Sequence, residues 1–322
     1  PGGNYRFRVE ILRTGVTGFY VSGFAALQVG KLQVTGWGNT QRITIIINDM
    51  KKTKIVATIS DKRCEVEFLE KLYRAGMNVV RLNTAHQDME QALKVVENVR
   101  KVSDNIAILI DTKGPEVRTM LMDEPMHVDR GETIYLTGDP ELKMEGKLIH
   151  VSYPYFAEDI KVGDKVLVDD GDVELVVVEK KDHYLEMMVT NEAVIKNRKS
   201  VNVPGASLKL KSLSDKDRAF IDFAIDNNLD FIAHSFVRNK EDVMAIQAIL
   251  DARGSKIKVI AKIENQEGVD NIEEILEVAY GVMIARGDLG IEVPAEKIPG
   301  IQRMLIRKCV EVKKPVIVAT QM

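Results

Sequence analysis

The chain has 322 residues, 45% of them hydrophobic and 29% charged, which is enough apolar material for one or two globular domains. The formal net charge of −3 argues against nucleic acid or an anionic membrane as the main partner. No run reaches the ~18 apolar residues that a transmembrane helix needs. The two cysteines, Cys64 and Cys309, lack the spacing of a metal site, which is typical of a reduced, cytoplasmic protein.

Residues 1–49 differ in character from the rest of the chain. The segment is rich in glycine, contains only Glu10 and Asp49 as acidic residues, and keeps neither a helical nor a strand period for long. At Met50 the sequence changes abruptly to MKKTKIV, which is typical of the N-terminus of a native protein. We predict that residues 1–49 are translated upstream sequence or an unrelated leader rather than part of the native protein.

From residue 53 onward, short β-branched runs alternate with amphipathic helical patterns. The runs are almost wholly apolar, which is typical of parallel strands buried on both faces. This alternation predicts a parallel sheet with right-handed crossovers. Seven strands are predicted, at residues 53–60, 78–83, 106–111, 230–235, 258–264, 281–286 and 315–320. Helices are predicted between them, at residues 65–74, 89–102, 215–227, 240–252 and 298–312.

Seven strands of this kind fit either a doubly wound sheet or a (β/α)8 barrel that lacks one strand, because a barrel needs eight. The chain ends at Met322, just past the seventh strand, so we expect the barrel to be cut off before it closes. An open barrel exposes two sheet edges, and we expect this segment alone to be poorly stable.

The third and fourth predicted strands are separated by more than a hundred residues with a different pattern. Segments at 127–136, 147–153, 165–168, 173–178 and 184–190 alternate or are β-branched, and Gly-Asp and Asp-Gly turns separate them. This predicts a small all-β domain inserted in a barrel loop. Loops at the carboxyl ends of barrel strands carry the chemistry, so the insert is expected to act as a lid.

Polar residues come directly after the predicted strands, at the points where the strands end. Lys262 and Glu264 point to the same side of their strand because side chains alternate with a period of two, and Asp288 comes after the next strand. Two carboxylates without a neighbouring His or Cys suit a hard, oxygen-liganded ion such as Mg²⁺. A lysine beside such a metal, with arginines opposite, suits an anionic substrate whose charge shifts during the reaction.

Each of these patterns is weak when it is taken alone. A Lys-x-Glu pattern on a strand is more often an ion pair, a lone His86 or His234 is more often structural, and Asp111 is equally well explained as a helix cap. The functional interpretation is supported by the position of five or six such groups at the carboxyl ends of successive strands, where barrel enzymes carry their catalytic groups. The set predicts an active site for an anion and a metal ion.

Six stretches of the chain are long enough, and in a fixed enough order, to identify a family. They are MNVVRLN (77–83), DTKGPEVR (111–118), NVPGA (202–206), AKIENQEG (261–268), ARGDLG (285–290) and ATQM (319–322). In sequence and order they resemble the pyruvate kinase family, over residues 50–322 and none of 1–49. The resemblance implies an α/β fold, a (β/α)8 barrel with seven of its eight strands, and transfer of phosphate between phosphoenolpyruvate and ADP. The implied organisation is a barrel in two parts, 50–115 and 204–322, with the lid domain inserted at 116–203.

The resemblance implies roles for the matching residues that face the substrate. Lys262 stabilises charge on the transferring phosphoryl group and on the enolate oxygen. Arg81 contacts the phosphoryl group. Gly287 and Thr320 line the substrate carboxylate. Thr320 also lies near the point at which a proton is delivered to convert enolpyruvate into pyruvate.

Two cation sites are also implied by the resemblance. Glu264 and Asp288 hold the Mg²⁺ that bridges the protein and the substrate. Asn83, Asp111 and Thr112 are the implied ligands of a monovalent cation, usually K⁺.

The remaining implications concern the nucleotide and the assembly. Arg118, His86 and Lys199 contact the nucleotide phosphates, with Lys199 reaching them from the inserted domain. That arrangement fits a lid that closes on ADP and excludes water. The full-length protein is expected to be a cytoplasmic homotetramer.

Three departures from the family pattern affect these expectations. The usual cation-site serine is Ala85 here, and Thr84 is expected to point to the other side of the strand, so we predict K⁺ dependence with weakened affinity. K⁺ dependence is expected because, in the family, a glutamate at the position of Glu116 is associated with dependence on K⁺. Residues 58–62 lack the usual Gly-Pro, which puts nucleotide contacts from that loop in doubt. The eighth strand and the C-terminal domain do not appear in the chain.

Two alternatives stay open on the sequence. A Mg²⁺-dependent lyase or aldolase acting on pyruvate or oxaloacetate also holds its metal with a Glu and an Asp near strand ends, and fold alone does not decide function. The insert, Arg118 and Lys199 favour the kinase, because an aldolase has no ADP to cover. The other alternative is an inactive truncated fragment, kept as a binding or assembly module.

Overall fold

The structure is a computed structural model that describes residues 32–37, 40–45, 53–85 and 87–319, with only the backbone described up to residue 45. It divides into two compact units, Pro1–Lys54 and Ile55–Met322. The first unit contains strands β1 (Leu32–Trp37) and β2 (Thr40–Ile45), an antiparallel pair that the sequence did not predict. Whether residues 1–49 belong to the native protein stays a prediction.

The second unit contains all the helices and the other strands of the described residues. Its helices are α1 (Val66–Arg74), α2 (Met89–Val102), α3 (Phe156–Asp159), α4 (Asp215–Asp226), α5 (Lys240–Ala252), α6 (Gln266–Asp270), α7 (Ile272–Val278), α8 (Arg286–Glu292) and α9 (Ile298–Glu311). Its strands are β3 (Ile55–Thr58), β4 (Met77–Leu82), β5 (Ala107–Asp111), β6 (Met126–Val128), β7 (Thr133–Thr137), β8 (Leu148–His150), β9 (Lys165–Val168), β10 (Val173–Lys180), β11 (Leu185–Val189), β12 (Ala193–Ile195), β13 (Val201–Asn202), β14 (Phe231–His234), β15 (Lys258–Ile263), β16 (Gly281–Ala285) and β17 (Val316–Ala319). No helix of the described residues is long and apolar enough to cross a membrane.

Seven strands form one parallel sheet in the order β17-β16-β15-β14-β5-β4-β3. Its strands are apolar on both faces, and every residue of β16 is buried. One face carries a small cluster built from Leu109, Ala233, Ile260 and Met283, one residue from each of four neighbouring strands. The other face packs on the helices in a separate, larger core. Two cores on opposite faces are the arrangement of a (β/α)8 barrel, whose interior is filled by layers of inward-facing side chains.

Helix ends in the barrel are fixed by local side-chain caps. Ser214 begins α4 by accepting a hydrogen bond from the backbone N–H of Asp217, whose carboxylate accepts one from Ser214 N in return. Asp88 and Gln91 form the same reciprocal pair at α2. These caps place the helix starts where the polar sequence signals predicted them.

The segment between β5 and β14 forms an all-β structure with its own core. Six strands form a sheet in the order β13-β9-β10-β11-β7-β8, and β6 pairs with β12. Its buried cluster includes Ile134, Leu175 and Met187 and is separate from both barrel cores. The α/β class, the barrel type with seven strands and the all-β insert are therefore confirmed. The exact domain boundaries at 115/116 and 203/204 stay predictions.

Several predicted elements differ from the observed ones. A single strand at 127–136 was wrong, because a turn between Asp129 and Glu132, with Gly131 at φ +86°, separates β6 from β7. The short helices α3, α6, α7 and α8 were missed, as were β12 and β13. Elements of two to seven residues are too short for a hydrophobic period to appear.

Candidate active site

The candidate site lies at the carboxyl edge of the parallel sheet. Arg81 comes from the end of β4, Asp111 ends β5, and Lys262 lies near the end of β15. Ser235 and Glu264 come directly after β14 and β15. Because the strands are parallel, their carboxyl ends meet at one edge, and these five side chains converge there.

The Lys262 ammonium lies at the centre of this group and is almost fully buried. Its Nζ is 2.9 Å from Glu264 Oε1 and 3.4 Å from Asp111 Oδ2, and it donates a 2.7 Å hydrogen bond to Ser235 Oγ. Burial lowers the pKa of Lys262, but the charges of Glu264 and Asp111 outweigh burial and raise the pKa above its usual value. The lysine is therefore a fixed cation at neutral pH.

Arg81 provides a second cation to the same carboxylate. Its Nε donates to both oxygens of Asp111 at 3.0 Å, Nη2 makes a further short contact to Oδ2, and Nη1 donates to Thr58 Oγ1 at 3.2 Å. Burial lowers the pKa of Arg81, but the hydrogen bond and charge of Asp111 raise it overall, with smaller contributions from Glu264 and Asp288. Asp111 thus orients two cations side by side, which suits a doubly charged anion.

Glu264 is 1% exposed and holds its carboxylate by two contacts. Besides Lys262, the backbone N–H of Phe236 donates to Oε2 at 2.7 Å, from a residue in the left-handed region at φ +55°. Burial raises the pKa of Glu264 to about 7; Lys262 opposes that shift and the charge of Asp288 adds to it. A further cation beside Lys262 would lower this pKa and favour the ionised carboxylate at neutral pH.

Asp288 and Gly287 lie in the first turn of α8, directly after β16, and Asp288 is exposed. No group of three His, Cys, Asp or Glu side chains in the described residues is placed to hold a metal alone. The two carboxylates Glu264 and Asp288 still fit Mg²⁺, which is commonly held by one or two carboxylates and takes its other oxygens from water and substrate.

The predicted K⁺ ligands already have partners within the protein. Thr112 Oγ1 is 2.9 Å from His234 Nδ1 and accepts from Ser235 N at 3.1 Å. Asn83 Oδ1 accepts from the backbone N–H of Ala85 at 3.1 Å. The Asp111 carboxylate, the third predicted ligand, contacts the two cations of the site.

Thr84 is buried, and its hydroxyl points towards this region. Its Oγ1 donates to the backbone carbonyl of Asp111 at 2.9 Å. The expectation from the sequence had been that this side chain points to the far side of the strand, away from the cation site. The strand ends at Leu82, so the alternation that supported that expectation no longer applies at Thr84.

A buried network supports the strand ends from behind. Ser235 Oγ, which accepts from Lys262, donates to the Thr112 carbonyl at 2.7 Å. Burial lowers the pKa of His234 to about 4, so the ring is neutral at physiological pH. Gly114, at φ +73°, lets its backbone lie close to that of Ser235, because a Cβ at position 114 would be 2.8 Å from the Ser235 carbonyl oxygen. From the sequence, Ser235 could be named only as a strand-end residue, since its contact with Lys262 spans 27 positions.

A second cationic cluster lies on the β insert. Arg118 Nη2 is 2.6 Å from Glu116 Oε1, and Lys199 Nζ is 2.8 Å from Asp169 Oδ1. Both cations line one cavity of about 350 Å³ together with Arg198. The structure thus brings together two of the three predicted nucleotide residues. The third, His86, lies outside the described residues, as does Thr320, which was predicted for the substrate.

Known proteins share the sequence that carries this site. The family model described as pyruvate kinase, barrel domain, matches residues 50–322. A pyruvate kinase of Borreliella burgdorferi is 50% identical over 273 residues, covering 84% of this chain and 57% of that protein. One of Geobacillus stearothermophilus is 46% identical over 280 residues, covering 84% of this chain and 48% of that protein.

A solved structure gives the same result for the fold. A crystal structure of a pyruvate kinase from Cryptosporidium parvum aligns with a TM-score of 0.80 at 39% identity, covering 84% of this chain and 58% of that one. The chain spans about half the length of the curated relatives it matches. The chain belongs to the pyruvate kinase family, through that family's barrel domain.

Proposed function

We propose that the protein transfers a phosphoryl group from phosphoenolpyruvate to ADP, giving pyruvate and ATP. The observation that carries this proposal is the pair of cations, Arg81 and Lys262, fixed on one buried carboxylate beside Glu264. Phosphoryl transfer needs little covalent help from the protein and depends on alignment and on positive charge around the equatorial oxygens. Family membership favours this activity over a lyase or aldolase.

In this proposal the substrate lies over the strand ends. The Arg81 guanidinium binds the phosphoryl oxygens, and the Lys262 ammonium stabilises charge on the phosphoryl group and on the enolate oxygen that forms as the P–O bond breaks. Gly287 lies at the start of α8, beside Asp288, and is proposed to line the substrate carboxylate with Thr320. Thr320 is proposed to assist the proton delivery that converts enolpyruvate into pyruvate.

Glu264 and Asp288 are proposed to hold Mg²⁺. The bound ion would neutralise charge that develops between the transferring phosphoryl group and its acceptor. The raised pKa of Glu264 supports this role, because a second cation besides Lys262 would favour the ionised form of this buried carboxyl. Lys262 holds one oxygen of Glu264 and the backbone of Phe236 holds the other, so the carboxylate is oriented before any ligand arrives.

A monovalent cation, K⁺, is proposed at Asn83, Asp111 and Thr112. The replacement of a serine by Ala85 removes one hydroxyl ligand, so weakened affinity is expected. The Thr84 hydroxyl donates to the backbone carbonyl of Asp111, one of the proposed ligand residues. This position supports Thr84 as a partial replacement for the missing serine hydroxyl.

The nucleotide is proposed to bind between the insert and the barrel edge. Arg118 and Lys199 supply positive charge from one cavity of the insert, and His86 is proposed as the third phosphate contact. Their present partners are partly exposed carboxylates, which phosphate oxygens are able to replace. Closure of the insert over ADP would exclude water from the reaction.

The proposal extends to the setting of the full-length protein. A cytoplasmic location is supported by the cysteines, since Cys64 and Cys309 are both free and buried. A homo-oligomer, specifically a homotetramer, is proposed for the full-length protein on the family resemblance.

The activity is tested by measuring pyruvate from phosphoenolpyruvate and ADP with Mg²⁺, coupled to lactate dehydrogenase. Lys262→Ala should lower turnover by about 10²–10³-fold, by analogy with loss of one preorganised donor. Lys258→Ala is the matched control, because Lys258 is an exposed lysine at the other end of β15. Equal rates in the unaltered chain and in Lys262→Ala, or pyruvate formation that does not need ADP, would contradict the proposal.

A further inference from the structure

A cavity of about 420 Å³ lies apart from the cationic cluster of the candidate active site. Its walls come from the entry to the insert at 115–117, the return segment at 201–210, and the start of α6. That size falls in the range of small-molecule sites. Arg81, Lys262, Glu264 and Asp288 do not line it, although the cavity reaches Phe236.

Part of the wall is apolar. The return segment contributes Val203, Ala206 and Leu208, and Phe236 lines the same cavity from the barrel. The exit of the insert therefore presents an apolar surface to the barrel rather than a charged one. A ligand with a hydrocarbon body would bury apolar area here on binding.

The charge of the wall is negative. Glu267, Asp270 and Glu292 all line the cavity. Burial raises the pKa of Glu292 to about 7, and within the described residues its carboxylate accepts one long hydrogen bond, 3.5 Å from Gln266 N. A carboxyl held in this way gains most from a cationic partner.

The one arginine in the wall cannot supply that positive charge. The Arg238 guanidinium donates from Nε and Nη2 to Asp242, and from Nη1 and Nη2 to the carbonyls of Leu208 and Leu210. All three guanidinium nitrogens therefore have acceptors within the protein, and the charge is paired with Asp242. Anions such as phosphoenolpyruvate and ADP would meet more carboxylates than cations in this wall, so the cavity is poorly suited to either substrate.

We propose that this cavity is a second ligand site, which binds a small organic ammonium ion with an apolar body. The ammonium group donates to the Glu292 carboxylate, and the hydrocarbon body packs on Val203, Leu208 and Phe236. The site joins the return segment of the insert to α6 of the barrel.

The test is a binding measurement by calorimetry on the whole chain with three probes of one shape. The probes are 2-phenylethylammonium, neutral 2-phenylethanol and anionic 3-phenylpropionate. The ammonium should bind saturably, at least tenfold more tightly than the alcohol, and the carboxylate should not bind. Glu292→Gln should weaken ammonium binding by about 10–100-fold, because a hydrogen bond to a charged group is lost.

Glu296→Gln is the matched control, since Glu296 is an exposed glutamate four residues further on that does not line the cavity. Its affinity for the ammonium probe should equal that of the unaltered chain. Equal binding of all three probes, no saturable binding of the ammonium, or equal loss in both variants would overturn the proposal. The readout is binding alone, so the result does not depend on whether phosphoryl transfer is observed.

Discussion

Two clusters of cations in this protein have similar chemistry and very different surroundings. At the barrel edge, the side chains of Lys262 and Glu264 are 8% and 1% exposed. On the insert, those of Lys199 and Asp169 are 33% and 21% exposed. Buried partners are fixed before a ligand arrives and are costly to separate, whereas exposed partners exchange readily. Under the proposed function, the difference favours the barrel edge for the chemical step and the insert for adaptable binding of the nucleotide.

Removing the buried cation should produce the largest effect. Lys262→Met keeps the length of the side chain but leaves Glu264 without its closest cation, so we expect a loss of about 3 kcal/mol in the free energy of unfolding. Chemical denaturation measures this. Lys258→Met on the same strand serves as the control, and a loss of similar size there would contradict the assignment.

The pH dependence of stability should come next in size. A carboxyl whose pKa rises on folding contributes stability that is complete below its unfolded pKa and is lost as the pH rises through its folded pKa. For Glu264 these values are 4.5 and about 7. Without metal, the free energy of unfolding should therefore fall between pH 5 and pH 8, by on the order of 1–3 kcal/mol.

Glu264→Gln should flatten that pH profile, because the amide does not titrate. Denaturation curves at several pH values in the presence of a chelator give the comparison. An unchanged slope in Glu264→Gln would show that another group is responsible.

Ser235→Ala should have a smaller effect, concentrated on the lysine. The hydroxyl holds Lys262 Nζ at 2.7 Å, and without it we expect turnover to fall about tenfold while the Michaelis constants change little. Steady-state kinetics of Ser235→Ala and Ser235→Thr test this, since threonine restores the hydroxyl. A pure loss of stability, with normal turnover of the folded fraction, would contradict a positioning role.

The smallest change in stability is expected on the insert. Lys199→Ala breaks a partly exposed ion pair, so the free energy of unfolding should change by less than about 1 kcal/mol. The Michaelis constant for ADP should rise about tenfold, because a charged phosphate contact is lost. Both quantities are measured in one variant, and a stability loss equal to that of Lys262→Met would remove the contrast.

The barrel strands could be predicted from the sequence because they are apolar on both faces. The strand at 258–264 was placed within one residue of β15, and this alone put Lys262 at the sheet edge. The same reasoning failed at α8, where the ARGDLG stretch is too short for a period. Local patterns therefore located the ends of the strands but missed the short helix that comes after β16.

The contacts of the site were less accessible to sequence reasoning. Asp111 meets Arg81 and Lys262 across 30 and 151 positions, and only the strand order brings them together. The acidic cavity could not be foreseen either, because Asn202 and Glu292 lie 90 positions apart and no local pattern links them. The contacts of Asp111 and the lining of the cavity both depend on burial and on strand order. Neither burial nor strand order is visible in a single sequence.

The central claim is that the barrel edge transfers phosphate, and ³¹P NMR tests it most directly. Phosphoenolpyruvate, ADP and Mg²⁺ are mixed with the unaltered chain, with Lys262→Ala and with Lys258→Ala. We predict that the phosphoenolpyruvate signal is replaced by the γ-phosphate signal of ATP in the first and third samples and persists in the second. Loss of the phosphoenolpyruvate signal to inorganic phosphate, or equal ATP formation in all three samples, would contradict the account.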